Sequence, residues 1–287
     1  MALMLLLADE FSPLESALKR ELEDETLAFV RPKPGEISWG DVQSVRHYIL
    51  QNRPSLILNN LGWGSLSSRD KSTLLLSGTN NLAKVCAEID IPLLHLSSHL
   101  VFGGENKTAY DESDRPSPFN DSGRAYLDAE RAIEKWMQHF IVLRLSWVVG
   151  VEDDNLFGHL LSELSQGRNV EVSAARRGAP TFVADVARVV VAIVRQVLCG
   201  AENWGVMHYC SSEPCTEVEL AQQLASLLQE LGQPCGQISE HTDESQELVA
   251  SAVLNGRLCR DSFGIQARSW RQGLAAVIQN YLSNQSA

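Results

Sequence analysis

Short apolar segments alternate with longer amphipathic segments through the first half of the chain, and this alternation restricts the fold more than any other feature. The apolar segments lie at 3–8, 27–30, 55–59, 92–97 and 141–146, and the amphipathic ones at 14–22, 42–50, 72–88 and 121–140. Strands that are apolar throughout are typical of a parallel sheet covered by helices on both faces. The pattern therefore predicts an α/β fold with a doubly wound parallel sheet of the Rossmann type.

The amphipathic segment at 121–140 shows how the pattern defines a helix. Asp121 is a residue type that favours the N-cap, and apolar residues then recur at helical spacing. These residues are Ala129, Ala132, Ile133, Trp136, Met137 and Phe140. We expect this face of the helix to pack against the sheet.

The second half of the chain has a less regular pattern. It predicts helices at 156–164, 183–198 and 216–231, a short strand at 170–172 and an exposed connection at 232–247. We predict a Rossmann-like domain at 1–150 that also takes in the helix at 183–199. A smaller C-terminal α/β lobe would comprise 151–182 and 205–270, and a C-terminal helix would comprise 271–287.

Charge and cysteine content exclude several classes of function. The 287 residues include 24 Lys and Arg against 36 Asp and Glu, a net charge of −12. A surface this acidic repels nucleic acid and anionic lipid, so neither partner is expected. The 6 cysteines form no C-x-x-C pair, which favours a reducing compartment without a metal cluster. The opening residues lack the charged start of a signal peptide, so we expect a cytoplasmic protein without a membrane segment.

Four segments carry a resemblance to a known family. They are L-H-L-S-S-H-L-V-F-G-G at 94–104 followed by Y-D-E at 110–112, then R-L-S-W-V-V-G at 144–150, G-A-P-T-F-V-A-D-V-A at 178–187, and F-G-I at 263–265 with W-R at 270–271. In this order they resemble the dTDP-4-dehydrorhamnose reductase family of extended short-chain dehydrogenases. The resemblance implies a Rossmann-type domain, a small substrate-binding lobe and a nicotinamide cofactor.

The resemblance also implies a proton relay that this chain lacks. In the family a Y-x-x-x-K motif supplies the proton donor and the lysine that lowers its pKa. Ser122 stands at the tyrosine position and Tyr126 at the lysine position, whereas Ser98 matches the family's substrate-orienting hydroxyl. Tyr126 lies about 6 Å further along the helix, and Glu130 rather than lysine follows it. We therefore expect Tyr126 to fill space instead of acting as the acid.

The glycine-rich turn that the family uses for the dinucleotide is missing as well. The aligned residues are Asp9, Glu10, Phe11, Ser12, Pro13, Leu14 and Glu15, and no glycine precedes Gly35. Side chains would obstruct the approach of a pyrophosphate, and three carboxylates would repel it. We expect no cofactor, with NADP(H) or NAD(H) as the alternative.

The substrate side differs too, because the family's P-A-R-R-P segment should fall near 247–254, where no arginine pair occurs. Arg176 and Arg177 either meet an anion or form a solvated basic pair. The candidate cleft residues are Ser98, His99, Phe102, Trp63, Trp147, Arg176 and Arg177. His95 and His99 lack a third ligand, so no metal site is predicted.

These departures predict a catalytically degenerate relative that acts by binding. It would serve as a regulatory or scaffolding subunit for a protein partner of unknown identity or as a homodimer, with a small ligand in the interlobe cleft. The regulatory beta subunit of methionine adenosyltransferase, which is similar in fold, is a precedent. The alternative is an active NAD(P)-dependent nucleotide-sugar oxidoreductase with a remodelled proton relay.

Overall fold

The structure is a computed structural model that describes residues 4–8, 14–23, 27–62, 69–104, 108–151, 155–241 and 250–285. In chain order its strands and helices are β1 Met4–Leu7, α1 Leu14–Glu21, β2 Ala28–Val30, α2 Val42–Asn52, β3 Leu56–Asn59, α3 Arg69–Ile89, β4 Leu93–Ser98, α4 Asp121–Trp136, β5 Phe140–Leu145, β6 Val148–Val149, α5 Leu156–Ser165, β7 Val170–Ser173, β8 Arg177–Gly178, β9 Thr181–Phe182, α6 Val183–Leu198, β10 Gly205–Tyr209, β11 Cys215–Thr216, α7 Glu217–Glu230, β12 Ile238–His241, α8 Arg257–Phe263 and α9 Leu274–Gln285. A 3₁₀ turn, His99–Val101, follows β4.

Within these ranges, six strands form one sheet in the order β2-β1-β3-β4-β5-β10. Every neighbouring pair in this sheet is parallel. The chain passes from β1 to β2 on one side and then crosses back to β3 on the other, so the order reverses between β1 and β3. Ligands of such sheets bind outside the carboxyl ends of the strands at this reversal. The predicted doubly wound, Rossmann-type sheet is confirmed.

Helices cover both faces of the sheet, as the apolar strands require. Leu5, Leu94 and Leu143 pack on one face against α1 and α6. On the other face, Leu6 and Val142 pack against α2, α3 and α4. Because alternate residues of each strand point to opposite faces, a strand buried on both sides needs apolar residues throughout.

Some predicted boundaries differ from the structure. Residues 205–209, predicted in the smaller lobe, form β10 and extend the main sheet beside β5. The N-cap of α4 is Asn120 and not Asp121, and α4 ends at Trp136 because Phe140 already begins β5. The connection predicted at 232–247 contains β12, which pairs with β7.

The smaller lobe has an apolar core of its own. Phe157 and Leu161 of α5 pack there with Leu224 of α7. Trp270, which precedes α9, and Ile278 of α9 complete this core, and all five side chains are buried. The chain enters this lobe after β6, returns to the main sheet through α6 and β10, and then enters the lobe again. In the part of the chain that the structure describes, no helix is both long and apolar enough to cross a bilayer.

Candidate functional site

Ser98 is the last residue of β4 and lies at the carboxyl edge of the sheet, where ligands of this fold class bind. Its hydroxyl oxygen accepts a hydrogen bond from the Leu100 N–H (3.2 Å) and so caps the 3₁₀ turn. The side chain is partly buried. Since the oxygen is the acceptor in this bond, the hydroxyl hydrogen is left to donate to another group.

The first turn of α4 is held directly against that 3₁₀ turn. The Asn120 side chain accepts a hydrogen bond from the Gly123 N–H (2.8 Å) and fixes the start of the helix. Gly123 is so close to the turn that a Cβ atom there would lie 2.1 Å from the Leu100 carbonyl oxygen. This contact sets the position of Ser122 relative to the carboxyl edge of β4.

Replacing Gly123 with alanine is therefore expected to destabilise the protein by about 1–3 kcal/mol, the usual cost of overpacking. Alanine is the better helix former by about 1 kcal/mol, so a loss of stability would mean that the contact with Leu100 decides the outcome. Urea unfolding measures the change. Gly40→Ala is the control, because a Cβ there meets nothing within 4 Å; equal effects of the two substitutions would contradict the expectation.

Tyr126 lies one turn after Ser122, inside an apolar cluster. Its neighbours there include Leu75 of α3 and Val101 of the 3₁₀ turn, and its side chain is only 4% exposed. Burial raises its pKa above the ordinary value for tyrosine. No hydrogen bond to its hydroxyl is found among the described residues. Tyr126 is thus a packing residue here, and Ser122 is partly buried at the position of the missing tyrosine.

His99 follows Ser98 and takes the place of an aspartate in the family motif. Its Nδ1 lies 3.4 Å from the Leu145 carbonyl oxygen, which can only accept, so Nδ1 carries the proton. Burial lowers the pKa of His99 to about 4, and the Leu145 and Ser146 backbone offsets only part of this shift. The ring is therefore neutral near pH 7, with Nε2 as an acceptor.

A buried ion pair connects α4 to β5, and the sequence analysis did not anticipate it. Arg144 donates to both oxygens of Glu130, from Nε to Oε1 (3.0 Å) and from Nη2 to Oε2 (2.7 Å). The Ser97 hydroxyl donates to Oε1 as well (2.5 Å). The two charged side chains are 4% and 2% exposed. Two features of the sequence could have indicated this pair: an arginine inside an otherwise apolar strand, and a glutamate on the apolar face of a predicted helix.

The same arginine reaches the far edge of the sheet. Its Nη1 lies 3.4 Å from Nε2 of His208, whose Nδ1 lies 3.1 Å from the Tyr110 carbonyl oxygen. Phe102 stacks on Tyr110 with ring centroids 4.2 Å apart and lies under the Arg144 guanidinium. Phe102 is fully buried by these contacts. It is therefore a core residue, whereas the sequence analysis placed it on the cleft wall.

The segment at 250–255 lies where the resemblance places the family's arginine pair. Its backbone bonds to Arg177 on one side, through Ala250 and Ala252 (2.8 Å each), and to Tyr110 on the other, through Val253 (2.9 Å). The Ser146 hydroxyl also donates to the Ala252 carbonyl oxygen (2.6 Å). Residues 251–254 are buried. This part of the segment is therefore buried backbone that connects Arg177 to Tyr110 and carries no cationic side chain, and 247–249 lie outside the described residues.

Trp147 lies just after β5, Arg176 immediately precedes β8, and Arg177 is the first residue of β8. The Trp147 ring is partly buried and lies on Gly178, where an added Cβ would come within 2.2 Å of the ring. Arg176 bonds to Glu217 (3.0 Å), so it is not half of a solvated pair. Arg177 is exposed. Of the two arginines, Arg177 is the more exposed, and the Arg176 side chain is 19% exposed.

Glu15 lies in the first turn of α1, and its carboxylate forms two ion pairs. Oε2 lies 2.9 Å from Nη1 of Arg31, which follows β2, and Oε1 lies 2.6 Å from Nζ of Lys19. Leu14, the first residue of α1, is buried, whereas residues 9–13 of the predicted turn lie outside the described residues, as does Trp63.

Two of the described positions differ from what the family resemblance implies for a nicotinamide dinucleotide. A carboxylate, paired with Arg31, lies where the fold class accepts phosphate, and the position of the ribose-binding lysine is a buried tyrosine. Within the described ranges, no group of three or more His, Cys, Asp or Glu side chains is arranged to hold a metal ion.

The comparisons with known proteins decide the family. A model of the RmlD substrate-binding domain matches residues 5–283. The chain belongs to the RmlD substrate-binding domain family. Its relatives include the dTDP-4-keto-6-deoxy-D-glucose reductase of Streptomyces niveus, which is 31% identical over 218 residues, covering 74% of this chain and 73% of that protein. The dTDP-4-dehydrorhamnose reductase resemblance is thereby confirmed.

Two further relatives bear on what family members do. The dTDP-4-dehydrorhamnose reductase of Bacillus anthracis, solved in complex with NADP, superposes with a TM-score of 0.84 at 18% identity and covers 98% of this chain and 99% of that one. At this identity the likeness shows the fold. Methionine adenosyltransferase 2 subunit beta of Rattus norvegicus is 27% identical over 204 residues, covering 68% of this chain and 61% of that protein. The proteins similar to this chain thus include both a reductase and a subunit of another enzyme.

Proposed function

We propose that the protein acts by binding and not by the tyrosine-dependent reduction of its relatives. It serves as a regulatory or scaffolding subunit, with a protein partner and an interlobe cleft that takes a small ligand. The observation that carries the proposal is the start of α4, where Ser122 replaces the proton donor and Tyr126 is buried in an apolar cluster. A phenol whose pKa is raised by burial is a poor general acid.

Each residue still present at the cleft supports binding better than proton transfer. Ser98 has a hydroxyl hydrogen to donate, and neutral His99 has an acceptor nitrogen beside it. A serine hydroxyl is a weak acid, and Nε2 of neutral His99 carries no proton, so these two residues orient a ligand but do not protonate one. The similarity to methionine adenosyltransferase 2 subunit beta, which is by its name a subunit of another enzyme, supports a subunit role.

The second candidate is an NAD(P)-dependent nucleotide-sugar oxidoreductase that uses another proton donor. The Streptomyces niveus reductase and the NADP complex of the Bacillus anthracis enzyme favour it. The comparisons support this candidate more than the first, whereas the residues of α4 support the first. The two differ in one measurable property, which is hydride transfer.

That difference is tested by mixing the purified protein with NADPH or NADH and a dTDP-4-keto sugar, and following the loss of reduced cofactor. We expect no turnover above background, with the Bacillus anthracis reductase as the positive control. Calorimetric titration with dTDP-sugars in parallel measures ligand binding without chemistry. Turnover that survives Tyr126→Phe and is lost in Ser98→Ala would overturn the proposal and establish the second candidate.

A further inference from the structure

The surroundings of Glu15 bring together two places where this fold class recognises a dinucleotide. In doubly wound sheets the pyrophosphate lies at the amino end of the helix after β1. The adenosine ribose is recognised about twenty residues further on, where an acidic side chain binds the 2′-hydroxyl of NAD and an arginine accommodates the 2′-phosphate of NADP. Here α1 begins at Leu14, and Arg31 follows β2, which pairs in parallel with β1.

At the place where the adenosine ribose is recognised, the side chain of this protein is a cation, which selects against NAD. Arg31 occupies this place, and Lys33 lies two residues further on. The side chains of Arg31 and Glu15 are 28% and 19% exposed, so the ion pair between them is mostly shielded from water. A guanidinium shielded in this way attracts an anion more strongly than a fully hydrated one does.

We propose that Glu15 is an internal anion that occupies the position of a ligand phosphate. Its carboxylate engages Arg31 and lies in the first turn of α1, where the helix dipole stabilises negative charge. A phosphate arriving there meets a carboxylate of the same sign and a guanidinium that is already paired. Glu15 therefore keeps the affinity for 2′-phosphorylated dinucleotides low, and Arg31 gives the remaining affinity its preference for NADP over NAD.

This inference rests on the proposed function, because it supplies a physical reason for weak dinucleotide binding in a protein that acts by binding. The inference about Glu15 and the proposed function can be tested separately. Glu15 affects the affinity for a phosphate, whereas the residues at Ser122 and Tyr126 decide whether hydride transfer takes place. Binding of a dinucleotide in the variant without turnover would uphold both statements.

The test is a calorimetric titration of the wild type and of Glu15→Gln with NADP⁺ and NAD⁺. We expect the Kd for NADP⁺ to fall about tenfold or more in Glu15→Gln, the effect of freeing one charge-assisted hydrogen bond. The Kd for NAD⁺ should change less, since NAD⁺ lacks the 2′-phosphate. Adding Arg31→Met to Glu15→Gln should cancel the gain.

Glu21→Gln is the matched control, because Glu21 is exposed at the last residue of the same helix and its substitution makes the same change of charge. Thermal unfolding without ligand verifies that every variant is folded. An affinity for NADP⁺ that is the same in Glu15→Gln and Glu21→Gln would overturn the proposal. An equal gain for NAD⁺ and NADP⁺ would overturn the role given to Arg31.

Discussion

Replacing Glu130 with glutamine is expected to lower the free energy of unfolding by about 3–5 kcal/mol, the cost of breaking a buried ion pair by removing one partner. The glutamine amide keeps the shape of the carboxylate but leaves the Arg144 guanidinium without an anion. A guanidinium does not lose its proton in proteins, so the charge would stay buried and unpaired. Urea unfolding followed by circular dichroism measures the difference.

An exposed pair on the same helix provides the control. Asp128 and Arg131 form an ion pair with side chains 49% and 64% exposed. Asp128→Asn should cost no more than about 0.5 kcal/mol, because solvent already screens that pair. The double variant Glu130→Gln with Arg144→Met should regain part of the loss, since no charge then stays buried. A similar loss of stability in Glu130→Gln and Asp128→Asn would show that burial does not increase the contribution of the Glu130–Arg144 pair to the free energy of unfolding.

Acid is expected to destabilise the protein over a window set by its buried histidines. His95 is fully buried, and among the described residues neither ring nitrogen has a hydrogen-bond partner. Burial lowers its pKa from 6.5 to about 4. The folded chain thus binds this proton less tightly than the unfolded chain does. The stability contribution is complete above pH 6.5 and is lost as the pH falls towards 4.

The expected loss from His95 alone is about 3 kcal/mol across that window, at about 1.4 kcal/mol for each pKa unit. His208 acts in the same direction, because burial and the nearby Arg144 lower its pKa to about 3. Unfolding free energies from urea titrations between neutral pH and pH 4 measure the slope. His95→Leu removes the titrating group and should flatten this slope by about 2–3 kcal/mol over the window. An unchanged slope would mean that the pKa of His95 is the same in the folded and the unfolded chain.

The architecture could be predicted because it depends on local patterns. Each strand of the main sheet up to β5 is predominantly apolar, and the helix predicted at 183–198 has those bounds in the structure. The ends of helices were harder to predict. At the start of α4, for example, two polar residues are adjacent in the sequence. Both Asn120 and Asp121 have a side chain suited to a cap, and only the backbone geometry shows that Asn120 accepts from Gly123.

Residues of the site could be predicted only at positions that align with a motif of the family. Ser98, Ser122 and Tyr126 were found in this way, and the structure adds that Tyr126 is buried in an apolar cluster. The link from Glu130 through Arg144 to His208 was not found, because its members lie on three separate elements and meet only when α4, β5 and β10 pack together. The same holds for Phe102, whose stacking partner Tyr110 comes from a loop.

The return of the chain to the main sheet has a consequence for any attempt to divide the protein. Helix α6 contributes Val186, Val190 and Ile193 to the core on one face of the sheet, and β10 completes its edge beside β5. A fragment that stops near residue 150 would leave that face uncovered and expose the β5 edge to other chains. The two lobes therefore cannot be exchanged with those of a relative by a single crossover, and a functional chimera needs breakpoints on both sides of the α6–β10 unit.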